Sequence, residues 1–221
     1  STSRRQRQMC IRDRNNTVVT SRSLIRDLGV IFDAALSFRE HIQKMISNAY
    51  KMYGFIYRNC REFGIPALKM LFLALVRSRL EYASLIWYPI YALHVTSIES
   101  VQRKFIKFLH LKTEGEYPPR HIENRQLLGM FDLLSLSCRR DIIHLKFLYN
   151  LLNSNVDCPW LLSKLPLSIP TFNSRQHNVM YTTNITTNLA KKSPVFVMCK
   201  LVNIVGNNCD CLLYTSDAAD D

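Results

Sequence analysis

Ten consecutive residues, Ala67 to Val76 (ALKMLFLALV), carry one charge, Lys69, and nothing that breaks a helix. Pro66 suits a first helical position, so GIP at 64 to 66 ends one element and starts the next. A helix that is apolar nearly all round has no face to show water, so this one is expected to lie buried among other helices. Its most apolar stretch, Met70 to Val76, is closed by Arg77, far short of the about 20 residues a membrane span needs. No transmembrane helix is therefore expected.

The flanking segments supply the rest of a bundle. Apolar residues recur at Phe38, Ile42, Met45, Ile46, Ala49, Tyr53 and Ile56, the spacing of one face of a long helix over 38 to 60. Before it, SLIRDLGVIFD places Leu24, Leu28, Val30 and Phe32 on one side of an extended chain, which predicts a strand or short hairpin. Further on, Thr96 and Glu99 have the spacing of a capping box ahead of SVQRKFIKFLHLK. In that helix Ile98, Val101, Phe105, Phe108 and Leu109 fall on one side, and Arg103, Lys104 and Lys107 fall opposite. TEGEYPPR reads as a loop, and Asp132 as the cap of a further helix, LLSLSCRRDIIHLKFLYNLLN, in which Arg139 and Lys146 share a stripe. Beyond Pro159 no period holds and loop is expected, with SPVFVMCKLVNIV as one more strand or short helix.

LEYASLIWYP, residues 80 to 89, admits two readings. Its rings can stack on bases, or they can fill the inside of the bundle. Because the preceding helix leaves no exposed face to present them, Tyr82 and Trp87 are expected to pack between helices, with Glu81 paired to Arg77 one turn earlier and Pro89 ending the element.

The formal charge of the 221 residues is +12, which favours a polyanionic partner, either nucleic acid or an anionic membrane surface. Much of the remaining chemistry is excluded by what the chain lacks. Six glycines form no phosphate loop. Seven cysteines, odd in number and without a C-x-x-C, point to reduced thiols and an intracellular, nuclear or cytoplasmic, protein that is not secreted. Cys199, Cys209 and Cys211 lack the loop spacing of a zinc site, so ordinary cysteine is the better reading. His41, His110, His121 and His144 stand in no nucleophile motif and read as solvated or packed.

Both termini look like translated sequencing adapters. RRQRQMCIRDR at the front has no apolar stretch behind it, as a signal peptide would, and no amphipathic face, as a transit peptide would. CLLYTSDAADD closes the chain. With residues 1–14 and 211–221 set aside, 24 basic and 13 acidic residues remain, a charge of +11. The missing initiator methionine fits a chain cut at both ends.

DLGVIFDAALSFREHI, LEYASLIWYP, IESVQRKFIKFL, YPPR and SCRRDIIHLKFLYNLL follow one another at spacings that resemble the region just after the polymerase palm in non-LTR (LINE-type, jockey-like) retrotransposon reverse transcriptases. The resemblance covers residues 23 to about 153 and continues more faintly through SPVFVMCKLVN. It implies a fragment of an RNA-directed DNA polymerase: the end of the palm at 15–36, a helical thumb and connection region at 37–153, and a loop-rich extension at 154–210. The expected fold class is mainly α, a short strand or hairpin followed by a thumb-like helical bundle and an irregular C-terminal region. The implied partners are the RNA/DNA template-primer duplex and the missing palm of the same polyprotein, with no membrane. Leu28, Gly29 and Val30 inherit a possible role in seating the primer end.

The parent polymerase would use magnesium, but no cofactor is expected in this chain. Two-metal chemistry needs carboxylates gathered around ions roughly 3.5–4 Å apart. Asp27 and Asp33 form the only near pair in the strand region, and on a straight strand they lie roughly 20 Å apart, while adjacent Asp220 and Asp221 sit in the adapter-like tail. Asp33 therefore reads as a turn or helix-entry residue. The expected contacts to phosphate are Arg103, Lys104 and Lys107, whose segregated face is otherwise simply solvated, followed by Arg120, Arg139, Arg140 and Lys146. Two other readings stand beside this one: an inert transcribed relic of a mobile element, and an independent basic helical adaptor.

Overall fold

The computed structural model describes residues 22–89, 91–119, 121–167, 180–181, 186–191 and 193–208. It is mainly helical, with one short antiparallel hairpin ahead of the helices. The adapter-like ends, Arg120, Cys209, Cys211 and most of the polar run from Asn173 to Lys192 lie outside the described residues.

SLIRDLGVIFD forms β1 (Leu24–Asp27) and β2 (Val30–Asp33), paired so that Asp27 faces Val30 and Leu24 faces Asp33. Leu28 and Gly29 make the two-residue turn at φ 43° and 87°, the left-handed pair that matches the twist of a hairpin. The single-strand alternation is thereby broken. Leu28 is 84% exposed at the tip, and Val30 is buried beneath the ribbon.

Asp33 then turns the chain into α1 (Arg39–Asn59). Its carboxylate accepts hydrogen bonds from the amides of Ala35, Ser37 and Phe38 and from the Ser37 hydroxyl, at 2.7 to 3.0 Å. This is the helix-entry role expected of it. The apolar face of α1 is also as expected, with Ile42, Met45, Ala49 and Ile56 buried.

α2 (Ile65–Phe72) begins with Pro66 in its first turn, passes through a π-helical turn at Leu73–Arg77, and ends as α3 (Ser78–Glu81). It is not buried all round. Leu68, Phe72, Val76 and Leu80 form one fully buried stripe, while Met70 is 70% exposed. Steps of four residues drift by about 40° each on a regular α-helix. The wider turn corrects that drift, with the Ser78 amide reaching back five residues to the Leu73 carbonyl. The Ser78 hydroxyl donates to the Ala74 carbonyl.

α4 (Ala92–Glu114) starts four residues before Thr96, so the expected capping box is absent. Thr96 donates to the Ala92 carbonyl within the helix, and Glu99 instead accepts from the Ser137 amide at 2.7 Å. Buried His94 continues the apolar stripe of Ile98 backward, which extends the helix. Phe105 stacks on Phe72 with centroids 4.0 Å apart, joining α4 to α2 at the centre of the core. Gly115 ends the helix at φ 78°.

After α5 (Asn124–Met130) the chain turns through Asp132, which has φ 52° and does not cap. The cap of α6 (Leu136–Leu152) is Ser135, whose hydroxyl accepts from the Cys138 amide. Leu133 and Leu136 are both buried there, so the helix starts only after Leu133 has turned into the core.

The far half of α6 serves a second apolar cluster: Leu148 and Leu151 meet Leu165, Met180, Met198 and Cys199. Two short helices, α7 (Pro159–Leu162) and α8 (Asn188–Lys191), precede α9 (Pro194–Asn208), so SPVFVMCKLVNIV is a helix and not a strand. Buried Asn203 clamps Met180, donating to its carbonyl at 2.8 Å and accepting from its amide at 2.9 Å. Among the described residues no helix is long and apolar enough to cross a membrane.

Candidate nucleic-acid interface

α1 and α4 lie side by side and run in the same direction, because their contacts advance together. The Tyr50 hydroxyl meets the Ser100 hydroxyl at 2.7 Å, the Tyr53 hydroxyl donates to the Lys104 carbonyl at 3.3 Å, and the Tyr57 ring meets Phe108 edge-on at 5.0 Å. Lys112 closes the series by donating to the Arg61 carbonyl. Burial, with the neighbouring phenols of Tyr57, Tyr117 and Tyr50 adding to it, pushes Tyr53 up to about 12, so it remains a neutral donor.

Both helices of the pair carry exposed cations. Arg103, Lys104 and Lys107 are all exposed on α4, as the periodicity predicts. The Lys104 ammonium lies 4.5 Å from the centre of the Tyr50 ring, which orients it along the seam. On α1, Lys44, Lys51 and Arg58 are exposed too. Their seven-residue spacing keeps them on one line, drifting by only about 20° per step. Lys51 borders a shallow groove of about 630 Å³ together with Gln43, Ser47, Tyr50 and Ser97. Glu40 is the sole acidic residue of α1, and on α4 only Glu99 and Glu114 are acidic, the former held by Ser137. The α1 line was legible as a heptad of cations opposite the apolar face, but attention to the apolar spacing alone passes over it.

The other expected phosphate contacts do not gather here. Arg139 is taken by Glu81 in a two-pronged pair, with Nη2 donating to Oε2 at 2.9 Å and Nε donating to Oε1. Arg77 reaches the same carboxylate at 3.7 Å, so the expected Arg77–Glu81 pair exists but is the looser one. Arg140 is 1% exposed and cannot meet a phosphate: of two adjacent arginines on α6, the helix turns one toward Glu81 and the other into the core. Lys146 is exposed on α6, outside the α1–α4 pair. Leu28, Gly29 and Val30 do not act as one surface either, because Val30 is enclosed and only the turn residues are presented.

LEYASLIWYP divides in the same way. Trp87 is fully buried, its indole donating to the Tyr82 carbonyl at 2.7 Å, as packing between helices requires. Tyr82, expected beside it, is instead 56% exposed, and its hydroxyl donates to the Leu28 carbonyl at 2.8 Å. The left-handed Ala83 that follows turns the chain and separates the two rings.

His41, His110 and His144 are packed, and His121 is exposed. His144 sits edge-on to Tyr88 at 5.2 Å with Nδ1 at 2.8 Å from the Arg140 carbonyl, and burial holds it below the usual imidazole range. Cys199 is buried in the second cluster. Among the described residues no three His, Cys, Asp or Glu side chains gather to hold a metal ion. The carboxylates do not fit a two-metal centre: the hairpin brings Asp27 and Asp33 closer than a straight strand would, to roughly 10 Å along the ribbon, but Asp33 is already engaged by Ser37, Phe38 and Ala35. No catalytic step follows from them. Comparison with protein-family models, with curated proteins and with solved structures found no match.

Proposed function

We propose that this chain grips a nucleic-acid duplex by its phosphates, as the thumb-like part of a non-LTR retrotransposon reverse transcriptase whose catalytic carboxylates lie elsewhere in the polyprotein. The observation that carries the reading is the α1–α4 seam, where Lys51, Arg58, Arg103, Lys104 and Lys107 stand exposed on two parallel helices that present few acids between them. The five ordered motifs supply the family, and the charge supplies the chemistry. Cations on paired helices neutralise successive phosphates and release counterions, which gives affinity without sequence preference. Magnesium belongs to the missing palm in this reading, and the exposed turn of Leu28 and Gly29 is where the primer end would be met.

A filter-binding titration of the full chain against an RNA–DNA hybrid, repeated over a range of salt, tests it. Affinity should fall linearly on a log–log plot against salt, with a slope of about 0.9 per phosphate contacted. Binding indifferent to salt would overturn phosphate gripping.

A further inference from the structure

We propose that the concavity beneath the β1–β2 turn is a binding site for a phosphate group. The cavity, about 250 Å³, is enclosed by the hairpin, α1 and α3, and three cations reach it from these three elements: Arg26 from β1, Lys44 from α1 and Arg79 from α3. No acidic side chain lines it. The nearest candidate on α3, Glu81, is held by Arg139 and Arg77, and none of the three lining cations forms an ion pair among the described residues.

The remaining lining groups suit an anion as well. Arg79 donates Nε to the Leu75 carbonyl at 3.1 Å, which fixes the guanidinium and leaves its terminal nitrogens to donate elsewhere. His41 is 7% exposed and contributes to the wall, accepting the Ile31 amide at Nδ1 at 3.3 Å, so that its lone pair is already engaged and does not oppose an anion. Asn48 adds an amide to the wall. Gly29 forms the rim opposite the Tyr82 ring, where a Cβ would make ordinary contact with that ring but would strain a backbone at φ 87°.

Arg26, Lys44 and Arg79 are exposed cations on separate elements around one cavity, and their like charges repel each other. A phosphate group held among them would offset that repulsion. The site shares Lys44 with the line of cations on α1 but none of the cations on α4, and it stands whether or not the chain grips a duplex.

The test is an amide-resolved NMR titration of the full chain with inorganic phosphate, and with a short single-stranded oligonucleotide bearing or lacking a 5′-phosphate. The expected result is saturable shifts centred on Gly29, Ile31 and Lys44. A Lys44→Gln, Arg79→Gln double variant should weaken binding by about tenfold or more, with its thermal unfolding midpoint kept. Lys104→Gln, Lys107→Gln should leave the site intact. A response to the oligonucleotide only when it is phosphorylated identifies a strand end as the source, and a response to inorganic phosphate alone identifies a small molecule; either supports the site. Absence of saturable shifts with every probe overturns the proposal. So does binding unchanged in the Lys44, Arg79 variant, or shifts spread evenly over all basic residues.

Discussion

Arg139 grips Glu81 with two parallel hydrogen bonds across 58 residues of sequence, tying the end of α3 to the first turns of α6. Both side chains are largely shielded, at 28% and 14% exposure, so the pair is less screened than a surface ion pair. The Glu81 carboxylate also separates Arg139 from Arg77, whose own pKa is lowered first by burial and then by the neighbouring Arg139 charge. Glu81→Gln should therefore cost about 1–3 kcal/mol, and more than Arg139→Gln, because it leaves two guanidiniums facing each other. Urea unfolding of both single variants and the double variant checks this. Strictly additive losses would show that the pair is not coupled.

Arg140, the next residue, is buried with none of its three guanidinium nitrogens hydrogen-bonded. Burial lowers its pKa, and the surrounding charges of Glu99, Tyr88, Asp141 and Glu81 only partly oppose this. A buried cation without a direct partner is costly, and a well-packed apolar replacement is often neutral or stabilising by about 1–4 kcal/mol. Arg140→Met should raise the thermal midpoint and leave nucleic-acid affinity unchanged. A marked loss of affinity would restore Arg140 to a functional role, and a lowered midpoint would show that the buried guanidinium stabilises the fold.

Asp33 gives a pH signature. Burial by itself would raise its pKa, but the hydrogen bonds from Ser37, Phe38 and Ala35 outweigh it and hold the carboxyl below its ordinary value of 3.8. A group lowered in the folded state stabilises it above the unfolded pKa, and that stability is lost as pH falls through the folded pKa. Asp33→Asn should remove this contribution at neutral pH and flatten the acid limb of the stability profile below about pH 4. Denaturant midpoints from pH 7 downward would reveal it. A parallel offset at every pH would contradict the assignment.

The seam makes a separable prediction. Lys51→Gln and Lys107→Gln, on the two helices, should each reduce the salt slope by about 0.9 if each meets one phosphate. Lys146→Gln, on α6 and outside the α1–α4 pair, should leave the slope unchanged. Equal effects from all three would mean that net charge, and not this face, attracts the nucleic acid.

Much of the helical framework was legible because amphipathic spacing is local. Ile42, Met45, Ala49 and Ile56 on α1, and Ile98, Val101, Phe105 and Leu109 on α4, declare their buried sides through a 3.6-residue repeat that needs no knowledge of the partner. The opposite side is then fixed as well, which is why Arg103, Lys104 and Lys107 stand where the pattern puts them. The helix starts were less legible. Thr96 and Asp132 carry cap chemistry, but the start of a helix depends on where the incoming chain must deliver its buried residues, here His94 and Leu133.

By itself the sequence determined a mainly helical chain, its principal faces and one basic surface, because these follow from the order of side chains along a single helix. Only the tertiary structure decided which arginine of Arg139 and Arg140 would find a carboxylate, that Trp87 would be enclosed while Tyr82 reached out to the hairpin, and that Arg26, Lys44 and Arg79 would share one cavity. Each of those outcomes turns on a neighbour supplied by a different element, and the repeat within one helix holds no record of what that neighbour will be.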